Sequence, residues 1–372
     1  MNKVAITGYG VVTPFGIGVN TMMEGIKNDI HCFTEQEVIV RDNSKPVILP
    51  TGRVPFPMDI LDEYPNNIAR YMTPMSLFLH LAYKEARDMA YLTDKDMSNA
   101  GIYVASTLPH VHTGKTQLVS DIFKTFTNNP AFILAQLTNC TNRVITPCAA
   151  CSTGLQAVNM AAEDIANGKI DIAICGATEE WSNELAKIFI KLDIASKTSC
   201  RPFEYDRDGT VISEGAGILI LESEEHAKNR LVKTLGYIAG TGHSFSSNIS
   251  VPTEDSITKC MLDAYTPFYF NQREGTSGEV LVCAHATGTP TGDAIEKAAI
   301  EKFRIRLKSM HKTVSYSTYK QYLGHTMAAS GVIELIASLV KEPFFPTINN
   351  AFGLGGINAS TLVINNEWFY RD

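Results

Sequence analysis

The 372-residue chain lacks any uninterrupted apolar run approaching the roughly 18 residues of a membrane-spanning helix, so no membrane partner is expected. It also lacks a basic excess: 32 Lys and Arg stand against 39 Asp and Glu, a formal charge of −7. Such a surface has no general attraction for nucleic acid or anionic lipid. Low-complexity segments and short-period repeats are missing, and 45% hydrophobic residues are enough to bury a sizeable core. The eight cysteines (Cys32, Cys140, Cys148, Cys151, Cys175, Cys200, Cys260 and Cys283) include no second CxxC pair at zinc-finger spacing, so no metal site is expected. The opening stretch MNKVAITGYGVVTPFGIGV has no basic start followed by a greasy block and reads as a strand and a loop. The expectation is a soluble, cytoplasmic protein with free thiols.

What is present is an alternation of short β-rich apolar runs with helix-length amphipathic stretches, the pattern of an α/β fold whose central strands are covered on both faces. The clearest strands are Val4 to Thr7, Ile170 to Cys175, Ala216 to Leu221, Val280 to Ala284 and Thr361 to Asn365. One helix follows from Leu155, Val158, Ala162 and Ile165 and stops at Asn167 and Gly168; another runs from about Ala329 to Lys341. A length of 372 residues predicts two domains or one large fold of two halves. The charged segment EEHAKNR suggests a boundary near Val232, giving halves 1–231 and 232–372. KVAITGYGVVTPFG and KTLGYIAGTGHSFS, each a strand running into glycines, hint at an internal duplication. The stretch from Cys32 to Met58 reads as a surface excursion.

Four segments carry candidate chemistry. In ITPCAACSTGLQAV a strand meets a small-residue turn and then a helix, which places Cys151 where free backbone N–H groups and the helix dipole stabilise a thiolate. A buried inert cysteine and a CxxC redox pair with Cys148 are the other readings of the same residues. In VCAHATGTPTGDAIE a buried strand ends at His285 beside small hydroxyl residues. In STYKQYLGHTMAASGVIEL, His325 precedes a helix and is flanked by Lys320 and Glu334. In NNAFGLGGINAS the glycines suit a backbone that donates N–H groups, since no phosphate-loop pattern accompanies them.

Taken in order, CSTG, HATGTPTGD, KxxxxGH and FGLGG resemble a β-ketoacyl-acyl-carrier-protein synthase of the decarboxylating Cys-His-His class, the condensing enzymes of fatty-acid and type II polyketide synthesis. The resemblance extends to ITGYGVVTPFG, IARYMTPMSLFLHLAYKEA and RPFEYDRDGTVISEGAGILILE, and so spans nearly the whole chain. It implies an α/β thiolase-like fold: two similar halves, each with a mixed five-stranded sheet, layered α-β-α-β-α. It implies Cys151 as the acyl-accepting nucleophile, and His285 and His325 as neutral donors to the malonyl thioester and its enolate. Lys320 would hold a charge network with Asp293, Glu296 and Glu334. Thr287 and Thr289 would touch the phosphopantetheine arm, and the N–H groups of Cys151 and Leu354 would form the oxyanion hole. No cofactor is implied, and the partner is an acyl carrier protein bearing acyl and malonyl groups. Arg70 is one candidate for docking that acidic carrier, and Arg304, Arg306 and Lys308 are another. The family implies a homodimer, or a heterodimer with a ketosynthase-like paralogue.

The chain departs from the family at several points. Leu354 stands where FGFGG has its second Phe, Ala286 replaces a glycine, and Thr210 and Ser213 stand for Phe and Gly. PTINNAFGLGG fuses two motifs usually well separated, the stretch before ITPCAAC is short, and STLPHVHTG is atypical. These differences point to a specialised enzyme. Two other readings of the same fold are a non-catalytic partner subunit resembling a chain-length factor and a non-decarboxylating acyltransferase. The absence of a cysteine before the C-terminal glycines sets aside a degradative thiolase, and Gly324-His325 sets aside Cys-His-Asn relatives.

Overall fold

The computed structural model describes residues 2–41, 45–55, 58–110, 118–270 and 278–366. Ten strands lie along one path: β1 (Val4–Thr13), β2 (Gly101–Ala105), β3 (Val144–Ile145), β4 (Ile172–Glu179), β5 (Gly215–Ser223), β6 (Gly236–Phe245), β7 (Gly278–Cys283), β8 (Lys312–Ser317), β9 (Thr347–Phe352) and β10 (Ile357–Asn365). Their order is β3-β2-β4-β5-β1 followed by β6-β10-β9-β7-β8, with the short strand Gly16–Ile17 pairing beside β1. Numbered within each half and read from its outer edge inward, both runs of five read 3-2-4-5-1. In that direction the first three strands of each are parallel and the next two pairings antiparallel. The halves meet where Val4, Ala5 and Ile6 of β1 pair antiparallel with Ile238, Tyr237 and Gly236 of β6.

Helices complete five layers: α1 (Pro74–Ala90), α2 (Asn129–Thr138), α3 (Thr153–Ala166), α4 (Asn183–Lys191), α5 (Glu254–Phe270), α6 (Pro290–Lys308) and α7 (Ser330–Lys341). α1 and α2 cover the outer face of the first half, α5 and α6 that of the second, and α3 and α7 lie between the sheets. Local sequence sets these elements. Thr73 caps α1, accepting from the Ser76 amide at 3.2 Å, with Pro74 at the first helical position. Gly168 (φ 70°) follows the end of α3.

The similarity of ITGYG to YIAGTG has a packing cause. A Cβ on Gly8 or Gly10 would lie 2.2 or 2.0 Å from the carbonyl oxygens of Ala86 and Ala82; on Gly240 or Gly242 it would lie 1.9 or 2.0 Å from those of Ala264 and Cys260. The first strand of each half therefore needs G-x-G where its outer helix crosses. The Cys32–Met58 expectation is corrected: Thr34–Val38 and Val47–Gly52 form a small sheet with Ile212–Ser213. It exists because Val38 and Leu49 are buried against α4 beside Leu185 and Phe189.

Candidate active site

Cys151 sits in a 3-10 turn, Ala150–Ser152, immediately before α3. Ala150 takes a left-handed backbone (φ 49°), which turns the next side chain inward instead of along the helix. Cys151 Sγ lies 3.1 Å from His325 Nε2. The rings of His325 and His285 are 5.3 Å apart, edge to face, and His285 meets Phe352 at 5.5 Å in the same manner. Sγ and one ring nitrogen of each histidine fall within 4.8 Å of one another. Such a donor set could hold a soft cation, and it equally suits a sulfur nucleophile flanked by two ring donors.

Each histidine is held by its backbone. The His325 amide donates to Val211 at 2.7 Å and its carbonyl accepts from Ser213 at 3.0 Å. The His285 and Ala286 amides donate to the two oxygens of Glu296 at 2.8 and 2.7 Å, and Asn350 donates to Glu296 at 3.3 Å. Asp293 accepts from the amides of Gly288 (3.0 Å) and Phe203 (2.8 Å). Glu296 and Asp293 thus clamp the loop after β7, and neither hydrogen-bonds to Lys320. Among the described residues Lys320 ion-pairs with Glu334, at 2.8 and 2.7 Å to its two oxygens, both side chains essentially sealed from solvent, and its charge also acts on Asp293. Thr287 and Thr289 hydroxyls lie 3.1 Å apart on the half-buried side of the loop. Leu354 is at the tip of the β9–β10 hairpin, its N–H directed at Cys151 Sγ. Arg70 is elsewhere: it is exposed, with its guanidinium over the Tyr71 ring at 4.9 Å. Arg304 is engaged by Glu301 and the Val314 carbonyl.

Burial dominates the electrostatics. It pushes both histidines well below the ordinary imidazole range, with the Lys320 charge adding to the effect, so both rings are neutral. Among the described residues neither Nδ1 has a hydrogen-bond partner. A bare acceptor is the cheaper orphan, so each proton belongs on Nε2, which in His325 is the nitrogen 3.1 Å from the sulfur. The thiol is pushed up to about 11 by burial, opposed by Lys320 and the N–H groups of Leu354 and Cys151. The expected thiolate at the helix start is therefore not the resting form, because desolvation outweighs the local N–H groups and charge.

Sequence reasoning missed Glu179. This fully buried carboxyl ends β4 and accepts from the amides of Thr107 (2.9 Å), Leu108 (3.4 Å) and Ala328, and burial raises it to about 7. The available signal was an apolar strand ending in Glu-Glu.

The sequence profile of the β-ketoacyl synthase N-terminal domain matches residues 1–227, and that of the C-terminal domain matches residues 235–347. The chain belongs to the β-ketoacyl synthase family. Among relatives, 3-oxoacyl-[acyl-carrier-protein] synthase 1 of Buchnera aphidicola subsp. Baizongia pistaciae is 28% identical, covering 98% of this chain and 99% of the relative. The mitochondrial 3-oxoacyl-[acyl-carrier-protein] synthase of Arabidopsis thaliana is 32% identical over 57% of this chain and 54% of its own. In fold, the chain matches a β-ketoacyl synthase from Burkholderia phymatum with TM-score 0.84 and 23% identity, over 98% of this chain and 100% of that one. It also matches, with TM-score 0.80 and 22% identity over 98% and 99% of the chains, a type II polyketide-synthase acyl-carrier protein in complex with its ketosynthase bound to the hexaketide. The thiolase-like architecture of this family member is therefore the one the motif order implied. Among the described residues no helix is long and apolar enough to cross a membrane.

Proposed function

We propose that the chain catalyses decarboxylative Claisen condensation between a malonyl thioester and an acyl chain held on Cys151. The observation that carries this reading is one buried sulfur converging with one ring nitrogen from each of two neutral imidazoles, His325 Nε2 among them. First, the sulfur attacks the acyl-carrier thioester; the carrier's C–S bond breaks, and the proton lost by Cys151 ends on the departing thiol. The amides of Leu354 and Cys151, which face Sγ at rest, are the donors for the tetrahedral oxyanion. Second, the malonyl C–C bond to its carboxylate breaks and CO₂ leaves. The electron pair moves onto an enolate oxygen held by His285 and His325. The enolate carbon attacks the acyl carbonyl, the Cys151 C–S bond breaks, and the sulfur takes up one proton. Lys320 opposes protonation of both rings and keeps them as neutral donors.

The acyl and malonyl groups arrive on the phosphopantetheine arm of an acyl carrier protein, with Thr287 and Thr289 along the arm and Arg70 as a docking cation. Leu354 at the gate and the shortened stretches favour a specialised fatty-acid or polyketide pathway. Exposed Leu118, Val119, Ile122, Phe123 and Phe126 support assembly with a second ketosynthase-like subunit, either another copy or a paralogue. The enzyme is read as cytoplasmic, with its halves divided at 231/232. Intact-mass analysis after incubation with acyl-carrier thioesters tests the reading. The expected result is an acyl adduct absent from Cys151→Ala, and CO₂ release from malonyl carrier that falls at least about 100-fold in His285→Ala and His325→Ala. An adduct without decarboxylation would favour an acyltransferase, and no adduct a partner subunit.

A further inference from the structure

Condensation uses Cys151, His285 and His325 as one nucleophile and two hydrogen-bond donors, yet the same atoms are also a metal-ligand set. Sγ and one ring nitrogen of each histidine lie within 4.8 Å of one another, with Sγ 3.1 Å from His325 Nε2. Around a tetrahedral ion with bonds of ~2.3 Å to sulfur and ~2.0 Å to nitrogen, such atoms stand roughly 3.3–3.6 Å apart, so each side chain needs to move by only about 1 Å. Burial keeps both imidazoles neutral, which a metal requires of them. The N–H groups of Leu354 and Cys151 that meet Sγ favour its thiolate, the form that binds. Two further features decide how firmly an ion is held. Resident metal sites usually have the second nitrogen of each histidine donating to a carboxylate or carbonyl, whereas here neither Nδ1 has a partner among the described residues. The Lys320 charge acts on all three ligands and opposes a cation. The occupant is therefore an exchangeable one.

We propose that Cys151 Sγ, His325 Nε2 and one ring nitrogen of His285 bind a thiophilic divalent cation of the zinc class, with the fourth position left to water, and that this ion reversibly blocks the nucleophile. A thiolate and two imidazoles with no carboxylate select zinc and its analogue cobalt over magnesium or calcium. On binding, the hydrated ion sheds three waters and Cys151 gives its proton to solvent. The proton of each ring moves, by way of solvent, to the nitrogen turned away from the ion. Once Cys151 is acylated, its sulfur is part of an uncharged thioester, so acyl chain and metal exclude each other. That exclusion rests on the reading of Cys151 as the acylated residue; the metal site itself does not.

The test is titration of cobalt(II) into the natural protein, kept reduced without added thiol. One equivalent is expected to give a thiolate-to-cobalt charge-transfer band in the near ultraviolet and the strong visible bands of four-coordinate cobalt, both displaced by zinc. The charge-transfer band should vanish in Cys151→Ser, and cobalt affinity should fall at least about tenfold in His285→Ala and in His325→Ala. A second measurement needs no variant to fold: saturating zinc should slow iodoacetamide alkylation of Cys151 at least about tenfold, while the exposed Cys148 stays reactive, as read by peptide mass. A six-coordinate cobalt spectrum, a band that survives Cys151→Ser, an affinity unchanged in both histidine variants, or alkylation of Cys151 indifferent to zinc would overturn the site. Protein first treated with an octanoyl thioester should carry the adduct and lose the band; adduct and band together would also overturn it. Absence of any adduct would remove the condensing-enzyme reading and leave the metal site standing.

Discussion

At the entrance to α3 the chain takes a left-handed residue, Ala150 (φ 49°), and then Cys151 and Ser152 in a 3-10 turn; at the entrance to α7 it takes Met327 (φ 48°), then Ala328 and Ala329. Each helix then carries a glycine as its second residue where the other passes. A Cβ on Gly154 would lie 2.5 Å from the Ala328 carbonyl oxygen, and one on Gly331 would lie 2.7 Å from Leu155 Cγ. The backbone device is the same and the cargo is shifted. The first turn holds Cys151 directly after the left-handed residue. The second holds His325 two residues before it and leaves Ala328 at the place of Cys151. Cys148, which matches His325 in register, is exposed, with its Sγ 4.0 Å from the Thr107 carbonyl oxygen. The turn thus sets where a side chain points, and its surroundings decide what that side chain can do.

The strongest way to break the comparison is to move the thiol from one turn to the other. Ala328→Cys in a Cys151→Ala background is expected to acylate more than about 1,000-fold more slowly than the natural protein, read by intact mass. At that place the backbone N–H already donates to the Glu179 carboxyl, and no hairpin tip supplies a second donor to the sulfur. Next in size is the ion pair on the α7 side. Lys320→Met should cost about 3–5 kcal/mol in urea denaturation, because it strands Glu334 in the core, and Lys320→Met with Glu334→Leu should recover most of it. The mirrored glycines sharpen the likeness. Gly154→Ala, which drives a methyl into backbone, should cost about 2–4 kcal/mol. Gly331→Ala, which meets a side chain able to shift, should cost about 1–3 kcal/mol by thermal unfolding.

A comparable effect, of about 1–3 kcal/mol for each carboxyl, follows from pH. Burial raises both Glu179 and Glu296 to about 7. The folded state therefore keeps protons that the unfolded chain gives up near the ordinary glutamate value. Stability is full below that value and falls as pH rises through about 7, by about 1–3 kcal/mol for each carboxyl. Urea midpoints at pH 5 and pH 8 should show that slope, and Glu179→Gln and Glu296→Gln should each flatten it.

The sheet interior was readable because β4, β5 and β7 are covered on both faces and so are written as continuous apolar runs. β1 runs six residues beyond the Thr7 at which its pattern reading stops, because Gly8 and Gly10 mimic a turn; in the fold they are the places where a helix backbone rests on the strand. The small sheet was hidden because its first strand buries only Val38 and exposes Thr34, Glu35 and Glu37. In the site, the cysteine and histidines were legible from motif order. The division of labour among the acidic residues was not, since Glu179, Asp293 and Glu296 bind backbone amides whose identity leaves no mark in sequence. The depth of burial that keeps the thiol protonated is likewise a tertiary property.

The pairing of β1 with β5 and β6 has a consequence for how the molecule comes into being. β1 lies at the centre of the finished sheet, and both of its long partners, Ala216–Ser223 and Gly236–Ile238, are made more than two hundred residues after it. Until then an apolar strand waits with two open edges, an invitation to pair with neighbouring chains. Assembly of this protein is therefore slow and dependent on distant contacts, and vulnerable to aggregation while nascent. Once β1 is seated, the same arrangement locks the cysteine's half to the histidines' half through main-chain hydrogen bonds.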